Sequence, residues 1–147
     1  MEQIWMNENV SKYTLEEIEV GQKKRFEVVV TESMLNKFAE LSGDYSPLHM
    51  DGTYARSTDF KQRVCHGMLL ASFFSRLVGM YLPGKNALYF SQSLKFVSPC
   101  FINDKIHVEG EVLDKSLASR IITLKTTIVN NSGQCLVDGQ AKIVVRK

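Results

Sequence analysis

Cysteine is scarce in this chain, and what there is forms no pattern. Cys65, Cys100 and Cys135 are an odd number at wide spacing, with no CxxC and no Cys/His grouping. No metal site is implied, no cofactor is expected, and reduced thiols in a cytoplasmic protein are the simplest reading. Long apolar runs are also missing. The longest, around residues 68–81, is broken by Ser72, Ser75 and Arg76, which argues against a membrane span. The first eleven residues lack the basic-then-apolar order of a secretory signal. No block of one charge exists: the net charge is +2, with Lys and Arg spread along the chain, which argues against a dedicated nucleic-acid surface. Internal repeats and low-complexity segments are absent too. With 44% hydrophobic and 23% charged residues, the composition is that of a soluble globular protein. A length of 147 residues leaves room for one core, so residues 1–147 are expected to form a single domain. Residues 1–13 show no period and are expected to be a loose arm or an extension that packs on a partner.

Periodicity organises the rest. Residues 20–30 read as a first strand after a turn at Gly21. Thr31 is an N-cap and Glu32 lies in the first helical turn, where the helix dipole favours negative charge. Met34, Leu35, Phe38 and Leu41 recur at helical spacing, and Gly43 stops the helix. Asp51 is placed to cap a short helix to residue 57, with Tyr54 and Ala55 facing inward. Residues 58–64 are a polar connector. Residues 66–82 form a helix with almost no polar face, which is expected to be buried on every side by a sheet wrapped around it. Pro83-Gly84 ends it. Residues 87–97, 105–113, 120–129 and 134–145 read as strands. Ile106, Val108 and Val112 alternate with His107, Glu109 and Glu111, and Asn130-Asn131-Ser132-Gly133 is a hairpin turn. The result is an α+β layer.

The stretch from Phe38 to His49 carries the chemistry. Pro47 biases Ser46 towards extended backbone. Asp44 and His49 therefore sit on a tight, non-helical loop leaving a packed helix, where catalytic groups tend to be placed. A carboxylate facing an imidazole can hold a water and move its protons. By composition alone the two are a capping Asp and a surface His. The carboxylate's basicity is open, since burial raises its pKa and a charged imidazole lowers it.

The order of residues points further. Gly43-Asp44-x-Ser46-Pro47-Leu48-His49, then His66-Gly67-Met68-Leu69-Leu70-Ala71-Ser72, then Gln92-Ser93-Leu94-Lys95-Phe96 with Pro99, resembles the MaoC-like dehydratases. These include the (R)-specific enoyl-CoA hydratases of the hotdog superfamily. The likeness runs from about Val20 to the C-terminus. Ser46 departs from it, because the family usually carries Asn there, a residue linked to placing the catalytic water.

The resemblance implies a hotdog fold, an antiparallel sheet around one long central helix. It implies a hydro-lyase that adds water reversibly across a trans-2-enoyl thioester, on CoA or an acyl carrier protein. Asp44 is then the base and His49 the proton donor, with passage of both protons through one member of the pair as the alternative, and Gly67 is the oxyanion contact at the start of the central helix, whose first N–H groups have no internal partner. A purely structural Gly67 would instead let the helix start against a crowded strand. Ser46, His66, Met68, Ser75, Gln92 and Phe96 are the expected substrate-binding residues, His66 having packing or capping as its alternative. A homodimer or higher homo-oligomer, with no membrane or nucleic-acid partner, completes the expectation. A hotdog thioesterase and a non-catalytic acyl-thioester binder are the competing readings. Thiol catalysis is disfavoured, since Cys65 and His66 are adjacent and adjacent side chains rarely converge. Ser72 is expected to bond its own helix. Arg76 needs a partner, from a neighbouring subunit or a phosphate. His107 is expected to face out of its strand.

Overall fold

The computed structural model describes residues 10–147. Strand β1 (Lys23–Val29) leads into helix α1 (Glu32–Ser42). Thr31 caps that helix by accepting the Met34 amide, and Gly43 ends it with a left-handed φ of 80° that a side chain would resist. Two short helices follow, α2 (Pro47–Met50) and α3 (Gly52–Arg56). The Asp51 carboxylate caps α3 through the Thr53 and Tyr54 amides. Ala55 is buried as expected, but Tyr54 points outward, because a five-residue helix offers the core only one residue. The long helix α4 (Gly67–Arg76) continues as a wider π-helical turn, Leu77–Tyr81.

Strands β2 (Ala87–Gln92), β3 (Lys95–Phe96), β4 (Lys105–Lys115), β5 (Ile121–Asn130) and β6 (Cys135–Val145) complete the chain. The predicted strand over residues 87–97 is thus two strands, parted at Ser93 and Leu94. All pairings are antiparallel, in the order β1-β4-β5-β6-β2, with β3 also on β6. The sheet curls around α4 in the hotdog manner.

Two apolar clusters fill the space between sheet and helix. One joins Leu69, Leu70, Phe74 and Leu77 of α4 to Val108, Ile128, Leu136 and Val137 of the sheet. The other joins Val78 and Leu82 to Leu15, Ile18, Ile122, Leu124 and Ile143. Each fully buried aliphatic side chain contributes about 1.5–3 kcal/mol relative to exposure.

The expectation of a helix buried on every side fails here. Met68 is 57% exposed, and Ser72, Ser75 and Arg76 also face solvent. One curled sheet covers one side of a helix and leaves the opposite stripe open. Ser72 donates to the Leu69 carbonyl at 2.6 Å, as expected of a helical serine. Arg76 meets aromatic side chains of its own chain. Its guanidinium lies 4.2 Å from the Phe26 ring centre and donates to the Tyr81 hydroxyl at 3.3 Å. His107 lies on the outer side of β4, bonded to Arg25 and Asn131. Most of the expected N-terminal arm lies outside the described residues. Its end packs on its own chain: the Ser11 amide donates to Met80 O at 2.9 Å and Tyr13 joins the second cluster.

Candidate active site

The segment from Asp44 to His49 is folded by short-range bonds. The Asp44 amide donates to Ser42 Oγ at 3.1 Å, and Asp44 Oδ1 accepts the Ser46 amide at 3.0 Å. That second bond is an Asx turn, which Asp forms readily. Ser46 therefore meets Asp44 through its backbone, and its hydroxyl is not used in the turn. The expected non-helical loop extends only to Ser46. Pro47 at the first helical position starts the single turn of α2, so His49 rides on a helix.

A second segment grips the first. The Val64 amide donates to Leu48 O at 3.2 Å, and His49 Nδ1 donates to Val64 O at 2.6 Å. A carbonyl only accepts, so His49 Nδ1 carries a proton and Nε2 is left to meet a ligand. Arg63 Nε donates to His49 O at 2.6 Å, and its Nη1 reaches Glu32 at 3.3 Å. His66 Nε2 donates to Asp44 O at 3.0 Å. The Cys65 amide donates to Cys100 O at 2.7 Å, which ties the strap to the chain leading into β4.

His66 is 1% exposed and lies against His49, ring centres 4.3 Å apart. Burial pushes its pKa below the ordinary histidine value, against the pull of its bond to the Asp44 carbonyl. Its Nδ1 is buried with no hydrogen-bond partner among the described residues.

Gly67 opens α4. The first bond of that helix runs from Leu69 N to His66 O at 3.1 Å, so the Gly67 and Met68 amides precede the ladder. A Cβ on Gly67 would lie 2.7 Å from the Phe96 ring. Glycine therefore lets the start of α4 pack directly against the Phe96 ring of β3.

Asp44, His49, His66 and Gly67 border one cavity of about 550 Å³. Met68, Phe96 and Phe60 flank it, and Leu70, Pro99 and Leu136 add apolar wall. Cys65 and Cys100 complete that wall. Contact with the Cys65 thiol, and then burial, pushes the Cys100 thiol far up, so it is protonated and not a nucleophile. The arrangement offers a carboxylate, an imidazole nitrogen and a helix's positive end around an otherwise apolar space.

Not every expected residue joins this cavity. Ser46 and Ser75 do not line it, and Ser75 faces solvent on the open side of α4. Gln92 turns away: its Nε2 donates to Thr126 Oγ1 at 2.9 Å and to Ser93 O at 2.8 Å, and Tyr89 donates to its Oε1. His66 borders the cavity, but both ring nitrogens are occupied or buried, so it offers a ligand no open polar atom.

Comparison with known sequences decides the family: the MaoC-like domain matches residues 14–133. The chain belongs to the MaoC-like family. Among its relatives is an (R)-specific enoyl-CoA hydratase of Aeromonas caviae, 42% identical over 126 residues, covering 86% of this chain and 94% of that protein. A mitochondrial 3-hydroxyacyl-[acyl-carrier-protein] dehydratase of Arabidopsis thaliana is 35% identical, covering 87% of this chain and 78% of that protein. In structure the chain is similar to the unliganded R-hydratase PhaJ1 of Pseudomonas aeruginosa. That likeness has a TM-score of 0.89 and 37% identity, over 94% of this chain and 88% of that one.

Arg63 is one residue of this MaoC-like site that sequence reasoning passed over. It lies in a stretch read only as a polar connector, and nothing about a lone arginine signals that it will cap the turn carrying His49. The Val64 carbonyl gave no signal either, since every residue has one.

Proposed function

We propose that this MaoC-like chain is an (R)-specific enoyl-CoA hydratase, a hydro-lyase that interconverts a trans-2-enoyl thioester and the (R)-3-hydroxyacyl thioester. The observation that carries the reading is the single cavity bordered by Asp44, His49 and the Gly67 end of α4. In this reading a water lies between the Asp44 carboxylate and His49 Nε2. Asp44 takes one proton as the oxygen bonds to the β-carbon. The π electrons move onto the thioester oxygen, where the Gly67 N–H and the helix dipole stabilise the charge. His49, entering the cycle protonated on both ring nitrogens, delivers its Nε2 proton to the α-carbon and keeps the one on Nδ1, and the proton held by Asp44 returns to His49 Nε2 to close the cycle. The Nδ1–Val64 bond keeps the imidazole in the orientation this transfer needs. Phe96, Met68 and Phe60 flank the acyl thioester, while Leu70 and Leu136 meet the apolar chain.

The enzyme is a homodimer, or a multiple of one, in this reading. β2 is an edge strand, and Phe90 is 67% exposed on it. Leu88, Phe96, Val97 and Met68 are exposed nearby, a load of apolar surface that water does not favour. A second copy seated there would cover the open stripe of α4 and bring Ser75 and Gln92 nearer an acyl thioester. Three free cysteines support a reducing, cytoplasmic setting.

The test is a two-signal assay with crotonyl-CoA, following conjugated-enoyl absorbance and free thiol together. Loss of absorbance without thiol release is the expected result. Thiol release would replace the reading with a thioesterase, and binding without turnover would make the chain a carrier of acyl thioesters. Light scattering tests the dimer.

A further inference from the structure

We infer that His66 is a positioning residue that locks the acid–base segment to the oxyanion end of α4. The inference rests on the hydratase reading and adds to it how the reacting groups are held in register. His66 immediately precedes Gly67, so the residue joined to the first amide of α4 also holds the Asp44 peptide, through Nε2 at 3.0 Å. Asp44 is twenty-two positions earlier in the chain. The same ring lies against His49, with ring centres 4.3 Å apart and planes 30° apart, and Phe38 meets it edge-on at 4.8 Å. One side chain thus touches both members of the pair.

Its place in the helix makes the point independently. His66 is the N-cap residue of α4, yet its side chain makes no capping bond. A Ser, Thr, Asp or Asn there would satisfy a free helix amide and stabilise the helix. The ring instead gives its one N–H to Asp44 and leaves Nδ1 buried with no partner among the described residues. An unpaired buried nitrogen costs free energy, so the position gives up stability for reach.

The neutral form is what this geometry holds. Nε2 must carry a proton to meet a carbonyl, so a second proton would go to Nδ1, buried and unpaired. The charged and titratable groups facing the ring are His49, Asp44 and Arg63.

Three substitutions test this. The side-chain nitrogen of glutamine matches the reach of Nε2, that of asparagine reaches only the Nδ1 position, and phenylalanine keeps a ring without a donor. With crotonyl-CoA, His66→Asn and His66→Phe are expected to lose roughly 10- to 100-fold in kcat, the scale of a misplacement of about 1 Å. KM should stay within about threefold, since ground-state binding is untouched. His66→Gln is expected to recover most of kcat. A wild-type kcat in His66→Phe overturns the inference, as does an equal loss in the Gln and Asn variants. If His66→Phe fails to fold, the Gln and Asn pair, alike in polarity and close in size, decides the matter. If the unaltered protein does not hydrate crotonyl-CoA, the hydratase reading fails and positioning is judged from backbone amide resonances. Those of Asp44, Tyr45 and Ser46 should move in the Asn and Phe variants and return in the Gln variant. Unmoved resonances overturn the inference without reference to activity.

Discussion

The two ends of the central helix are built on opposite terms. At the C-terminal end, Val78 and Leu82 are enclosed by Leu15, Ile18, Ile122, Leu124 and Ile143, all of them buried. At the N-terminal end, Gly67 has no side chain, Met68 faces solvent, and the neighbouring chain is irregular, held by bonds from Arg63, Val64 and His66. One end gains stability from packing. The other leaves packing undone, and a cavity of about 550 Å³ is the result. The lesson is that a buried core at one end supports an unfilled site at the other, on one rigid helix.

The division can be attacked from either side. Asp44→Asn and His49→Ala should each cut hydration of crotonyl-CoA by about 10²- to 10⁴-fold, the range of acid–base catalysis, with thermal melting little changed. Retained activity in Asp44→Asn would falsify the assigned role. At the opposite end, Leu124→Ala should cost about 2–5 kcal/mol in denaturant unfolding while kcat of the folded fraction holds. A large drop in kcat there would erase the distinction between the ends.

Gly67→Ala tests the helix tip itself. The added methyl would press on the Phe96 ring at 2.7 Å, and a loss of roughly 10- to 100-fold in kcat/KM is expected. Adding Phe96→Ala should relieve the crowding; if activity does not improve, the methyl acts on the amide rather than the ring.

A smaller effect sharpens the contrast through pH. Burial lowers the His66 pKa in the folded state, so the unfolded chain binds the extra proton first. Stability should be full above about pH 6.5, the ordinary histidine value, and fall as pH drops towards the folded value. Urea melts of His66→Gln should show a flatter slope across that window; an unchanged slope means another group is responsible. The smallest effect is expected from Ser46→Asn. Position 46 meets Asp44 through its amide, so steady-state activity should not decline.

Much of this was legible beforehand. Thr31 and Gly43 bracket α1 because capping depends on a few neighbouring residues and not on the rest of the fold. Asp51 caps its helix for the same reason. The strands from residue 105 onward showed in their alternation, since period two survives whatever lies beneath. The exposed stripe of α4 was not legible, because an apolar run does not say how far a sheet will wrap. The orientations of Tyr54, Gln92 and Ser75 in the single chain were not legible for the same reason: each depends on what the fold brings alongside. Arg63 went unnoticed because its partner, a backbone carbonyl fourteen positions earlier, has no sequence identity.

Local chemistry, then, was written in the order of residues: where helices start and stop, which strands alternate, and that an Asp and a His five positions apart share one short segment with a proline between them. Those outcomes rest on interactions within a few residues of one another. The tertiary structure alone decided that His66 reaches back to Asp44, that His49 Nδ1 donates to the Val64 carbonyl, and that the cavity meets the tip of α4. Each of these depends on groups far apart in the chain meeting at hydrogen-bond distance, and only the folded sheet and helix bring them there.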